Sequence, residues 1–145
     1  MQDLDANLNA GAANLPFRIE NGSFFIHITH GDSGTPTTHE IQIDGNADSL
    51  NDLVADITAN VPNVTASIGA GGQLVLRAAT GYEMSFSDDT SGALAALGVN
   101  TFFTGSTAAD INVNQVLVDD PNMLAAGAGH VEGSDDTARN MADLQ

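Results

Sequence analysis

Residues 38–62, THEIQIDGNADSLNDLVADITANVP, contain the change of hydrophobic period that decides the fold. Ile41 and Ile43 alternate with polar residues, which is the period of a half-buried strand. Further along, apolar residues recur at helical spacing, at Leu50, Leu53, Val54, Ile57 and Val61. Pro62 then ends the helical pattern, because proline cannot continue a helix. The stretch predicts a strand followed by an amphipathic helix.

The start of this helix is marked by Ser49 and Asp52. They have the spacing of a capping box, with Asp in the position that Glu usually holds. In a capping box each of the two side chains accepts a hydrogen bond from the other residue's backbone N–H. We therefore expect Ser49 to be the N-cap of the main helix.

Upstream, the pattern is that of β-structure. Phe17 and Ile19 alternate, and Asn21-Gly22 is a dipeptide typical of tight turns. Three apolar residues at period two follow, at Phe24, Ile26 and Ile28. These features predict a hairpin, or one long bent strand, ahead of the strand that contains Ile41.

Downstream, two more strands form a hairpin around the glycines of residues 69–72, and a third follows it. Their apolar positions are Val64, Ala66 and Ile68, then Leu74, Leu76 and Ala78, then Tyr82, Met84 and Phe86. Residues 88–91 offer N-caps for a short helix with Leu94 and Leu97 on its buried side and Gly98 as its C-cap. The order predicts an α+β fold with a mostly antiparallel sheet, one main helix and one short helix.

The chain divides into four predicted segments. Residues 1–15 have no sustained period, and we expect a linker or a frayed N-terminal stump there. Residues 16–99 form the α+β domain, and residues 100–134 form an irregular segment that leaves it. Residues 135–145 begin a helical stripe after an N-cap at Asp135 or Asp136, which we interpret as the start of a longer, truncated C-terminal helix.

Composition excludes several classes of function. With three arginines, no lysine and 19 acidic residues, the formal net charge is −16. Nucleic acid and anionic membranes are therefore excluded as partners, since both need cationic side chains. No apolar run approaches the length of a membrane span, and residues 1–16 do not resemble a cleaved signal peptide. The absence of cysteine excludes disulfides, thiolate metal sites and a cysteine nucleophile.

The search for catalytic, cofactor or metal residues finds none to propose. His27 and His30 are three apart, so on a strand they point to opposite faces, and His39 shares the parity of Ile41 and Ile43. The acidic pairs at 88–89 and 119–120 lack the ligand spacing of an EF-hand and fit helix caps better. A carboxylate enzyme stays possible in principle, although no two acids are singled out. We expect no enzyme and no cofactor.

Several stretches of the sequence resemble a known family, and residues 97–114 carry the most specific part of the resemblance. The stretch LGVNTFFTG at 97–105, continued by STAADINVN at 106–114, resembles a segment of the flagellar hook-associated protein 1 family. The strands around Asn21-Gly22, the strand with Ile41 and the helix from Ser49 are similar to the hook-type module of flagellins and hook-associated proteins. In that module the helix usually ends in Ile-Asn, whereas here Ile57 is followed by Thr58. Residues 136–145 resemble the entry into the family's closing helix.

The resemblance implies a structural part of the bacterial flagellum. It implies an outer-domain fragment of the protein that forms the hook–filament junction, serving motility and flagellum assembly, with the polymerising terminal helices outside residues 1–145. The implied partners are other copies in a ring and the neighbouring hook and junction proteins, while the isolated fragment is expected to be monomeric. The implied location is extracellular, after export by the flagellar type III route without a cleaved signal peptide.

One surface is proposed for contact with partners or for packing. It comprises Asn100, Phe102, Phe103 and Gly105, with the two phenylalanines either anchoring a partner or closing the base of the domain as core. A second interpretation of the whole chain is an acidic, adhesin-like or calcium-stabilised extracellular binding module, which the paired aspartates and the turn-rich strands suggest.

Overall fold

The computed structural model describes residues 3–69, 72–99, 101–104, 108–119 and 135–143. A 3-10 turn at Gly11–Ala13 is followed by β1 (Gly22–His30), β2 (Pro36–Ile43), α1 (Leu50–Asn60), β3 (Val64–Ile68), β4 (Leu74–Ala78), β5 (Tyr82–Ser87), α2 (Ala93–Ala96), β6 (Phe103–Thr104), β7 (Asn112–Val113), α3 (Gln115–Asp119) and α4 (Asp136–Ala142). All strand pairs are antiparallel in the described residues, and the predicted α+β class is confirmed. The chain forms two compact units, Met1–Asn100 and Thr101–Gln145.

The first unit contains a three-stranded sheet with the order β2-β1-β5. Its register places Phe24 opposite Ile41 and Ile28 opposite Met84, so apolar side chains from all three strands share one face. The predicted stripe on β1 is confirmed, since Phe24 and Ile26 are fully buried and Ile28 nearly so. The strand predicted around Ile41 is confirmed as β2.

The main helix begins and ends as predicted. Asp52 N–H donates to Ser49 Oγ at 3.2 Å, and Asp52 Oδ2 accepts from Ser49 N–H at 2.9 Å, which confirms the capping box. The hydrogen bond with the Ser49 side chain, and then the one with the Ser49 backbone, hold the pKa of Asp52 below its ordinary value. The buried side of α1 consists of Leu50, Leu53 and Ile57.

The β3–β4 hairpin packs against α1. Its register pairs Val64 with Ala78, Ala66 with Leu76 and Ile68 with Leu74, as the alternating apolar residues predict. Val64, Ala66 and Leu74 are buried and join the core cluster that contains the apolar side of α1. The first unit thus has one hydrophobic core between the three-stranded sheet, α1 and this hairpin.

The hairpin predicted around Asn21-Gly22 is wrong. β1 begins at Gly22 and pairs with β2 and β5, while residues 17–21 form no strand. Gly22 allows close packing instead of a turn, because a Cβ there would lie 2.7 Å from Thr90 Oγ1. The side-chain oxygen of Asn21 accepts a hydrogen bond from the backbone N–H of Gly45 at 3.0 Å, so this asparagine joins two loops.

The N-terminal segment also differs from its expectation. Leu8 and Ala13 are each 2% exposed, and Leu8 belongs to the core cluster. The backbone N–H of Leu8 donates to Asp48 O, and that of Asn9 donates to Gly45 O, both at 2.8 Å. Residues 3–15 therefore pack on the loop before α1, which corrects the expectation of a linker or frayed stump. Their irregular backbone produces no period that a sequence pattern could reveal.

The short helix α2 has a cap at each end. Asp89 accepts backbone hydrogen bonds from Ser91, Gly92 and Leu94 at 2.8–3.0 Å. At the other end, Gly98 has a φ of +74°, and the N–H of Val99 donates to Leu94 O at 2.8 Å, which is the Schellman arrangement. The predicted helix and its closure by Gly98 are confirmed.

The second unit contains β6, β7, α3 and α4. The helix predicted after Asp135 is present as α4. The sequence pattern missed α3, whose first turn forms when Asn114 O accepts from Leu117 N–H and Val118 N–H. Residues 120–134 of the predicted irregular segment lie outside the described residues. Within the described ranges, no helix has the length and apolar character needed to span a membrane.

Candidate functional site

The segment that carries the family resemblance folds into a small hairpin. Phe103 lies directly opposite Val113 in the β6–β7 pair. Asn114 closes the hairpin: its backbone N–H donates to Phe102 O at 2.8 Å and its side-chain amide donates to Thr101 O at 3.0 Å. The rings of Phe102 and Phe103 meet edge to face, with centroids 4.7 Å apart.

The apolar side chains of this hairpin are exposed. Phe103 is 58% exposed, Ile111 56% and Val113 41%. Phe103 and Val113 are directly paired and so share a face of the ladder, and Ile111 directly precedes β7. We call these three residues the apolar strip. Val118 on the neighbouring helix α3 is a further exposed apolar residue of the same unit, at 55%.

The structure brings together two of the four predicted surface residues. Phe102 and Phe103 are in contact, while Asn100 and Gly105 lie outside the described residues. Phe102 is half-buried, whereas Phe103 is exposed and its ring does not lie in a core. Sequence reasoning missed Ile111 and Val113 as members of the same surface. Their alternation in DINVN, at residues 110–114, was the available signal.

A second surface feature is an acidic depression of about 530 Å³ between β2 and α1. It is lined by Gln42, Ile43, Asp44, Asp48, Asp52, Leu53 and Asp56. Three of these carboxylates already have backbone partners. Asp44 Oδ1 accepts from Asn46 N–H, Asp48 Oδ2 accepts from Asp44 N–H, and Asp52 caps α1. These bonds explain Asp44, Asp48 and Asp52 as turn and cap residues.

The histidines lie apart, as their spacing predicts. His27 is on the face of β1 opposite the buried stripe, and its ring lies between Thr38 Oγ1 at 2.9 Å and Ser87 Oγ at 2.8 Å. His30 packs edge to face on Tyr82, and His39 shares a face with the buried Ile41. Across the residues that the structure describes, no three His, Cys, Asp or Glu side chains are grouped to hold a metal ion.

His27, Ser87 and Asp88 contain the residue types of a hydrolytic triad in a different order. In such a triad the histidine lies between the serine and the carboxylate, so that it can take the serine proton. Here the Ser87 hydroxyl donates a hydrogen bond to Asp88 Oδ2 at 2.9 Å. Both ring nitrogens of His27 face hydroxyl groups. The contacts of His27 therefore link the three strands of the sheet.

The part of the first unit from β1 to β4 corresponds to a known motif. Residues 26–80 form a flagellin hook IN motif. The hook IN motif includes most of β1, all of β2, α1, β3 and β4, and covers less than half of the chain. No curated protein matches the chain. This similarity to a flagellin motif lies within the first unit.

Proposed function

We propose that this chain is an outer-domain fragment of a hook-associated protein that forms the hook–filament junction. The observation that carries the proposal is the hook IN motif at residues 26–80, which supports a structural role in the flagellum. The resemblance of residues 97–114 to hook-associated protein 1 supports the narrower assignment. In this proposal the chain reaches the cell exterior by the flagellar type III route.

The apolar strip is the proposed contact with a second copy of the protein in the junction ring. Copies that each carry a net charge of −16 repel one another, so they need a contact surface of low charge. Residues 101–118 contain a single charged residue, Asp110. Exposed apolar groups in this segment would lose contact with water when copies associate. Neighbouring hook and junction proteins are further proposed partners.

The first test compares this chain with a longer hook-associated chain that includes terminal helices on both sides. Size-exclusion chromatography with light scattering gives the mass of each in solution. We expect the present chain to be a monomer and the longer chain to associate or to cap hook ends. Tubes formed by residues 1–145 alone would contradict the proposal, because they would place the assembly elements inside this segment.

A second test concerns the apolar strip within the longer chain. Phe103→Ser and Ile111→Ser should each reduce association, because each removes apolar surface from the proposed contact. Phe17→Ser is the matched control, since Phe17 is 48% exposed but belongs to the first unit. Equal loss of association in all three variants would show a general effect of lowered hydrophobicity. Unchanged association in the two strip variants would exclude the strip as the contact.

The alternative to a junction protein is a calcium-stabilised binding module, with the acidic depression as its calcium site. In the proposed junction protein, millimolar Ca²⁺ leaves the thermal unfolding midpoint unchanged, because the aspartates serve as turn and cap residues. A ligand that binds only the folded state must raise the midpoint. A rise that is lost in Asp48→Asn, but retained in an exposed control such as Asp143→Asn, would favour the alternative.

A further inference from the structure

We draw no further inference here: the strongest candidate, the acidic depression between β2 and α1, is a cluster of carboxylates with no second observation in the described residues that points to a ligand.

Discussion

The two compact units use large apolar residues in opposite ways. The first unit contains all the largest fully buried side chains of the described residues, namely Phe24, Leu8, Ile19, Ile26, Ile41, Leu50, Ile57 and Val61. Among the described residues, the second unit contains four of the five large hydrophobic residues that are exposed. The first unit therefore has a hydrophobic core. In the second unit, similar residues are available for contact with another surface.

The largest expected effect separates two phenylalanines, one in each unit. Phe24→Ala should lower the free energy of unfolding by about 3–5 kcal/mol, because it leaves a cavity in place of a ring that is 0% exposed. Phe103→Ala, at a ring that is 58% exposed, should lower it by less than about 1 kcal/mol. Urea unfolding followed by circular dichroism measures both.

Similar losses in the two phenylalanine variants would contradict the contrast between the units. Such a result would mean that the Phe103 ring is covered in solution and contributes to a core. A loss only in Phe24→Ala would sharpen the comparison, since it would leave Phe103 available for the proposed contact between copies.

A smaller effect is expected where the backbone of Ile19 meets the loop before α1. A Cβ on Gly45 would collide with the carbonyl oxygen of Ile19, a backbone atom beside a fully buried side chain. Gly45→Ala should therefore destabilise the first unit by about 1–3 kcal/mol through forced backbone movement. Gly11→Ala is the control, because a Cβ there meets nothing within 4 Å. Equal thermal unfolding midpoints for the two variants would show that the Ile19 backbone does not pack tightly against Gly45.

The capping box should contribute less, and its contribution should depend on pH. Ser49→Ala removes the N-cap hydroxyl of α1 and should lower the free energy of unfolding by about 1 kcal/mol at neutral pH. The folded-state pKa of Asp52 is lowered, so its bonds to Ser49 stabilise the fold above the ordinary Asp range. This stabilisation is lost as the pH falls from about 4 through the lowered folded-state pKa.

The difference between parent and Ser49→Ala should accordingly shrink in acid. Urea unfolding at pH 7 and at about pH 3 checks the trend. Ser33→Ala is a suitable control, because this exposed serine lies in the loop between β1 and β2, away from α1. A difference that stays constant between the two pH values would show that the Asp52 carboxylate adds nothing to the cap.

Local patterns predicted the elements whose partners lie near in the sequence. The alternation at Ile41 and Ile43, the helical spacing after Ser49 and the β3–β4 hairpin each depend on neighbouring residues, and each is confirmed. The prediction of a turn at Asn21-Gly22 was wrong because Gly22 packs closely against Thr90, which is far away in the chain. The packing of Leu8 was missed because it depends on Asp48, which no local period reveals.

The sequence alone identified only part of the candidate site, for the same reason. Two adjacent aromatic residues drew attention to Phe102 and Phe103 from the sequence alone. The apolar strip depends on the pairing of Phe103 with Val113, and this pairing is known only from the three-dimensional structure. Exposure is not encoded in residue type either, since Phe24 and Phe103 are the same amino acid with opposite burial. The resemblance of residues 97–114 identified the region. The pairing of Phe103 with Val113 then added a residue that the sequence pattern did not identify.

The smallest expected effect lies in α4 of the second unit. Arg139 Nε donates to Asp135 Oδ1 at 2.7 Å, and the two side chains are 74% and 58% exposed. An exposed pair four residues apart on a helix contributes about 0.3–0.5 kcal/mol, because water screens the charges. Arg139→Gln should therefore leave the thermal unfolding midpoint unchanged within about 2 °C. A fall of several degrees would mean that α4 supports the folded chain more than these exposures indicate. The second unit would then need a packed core of its own, and the contrast with the first unit would fail.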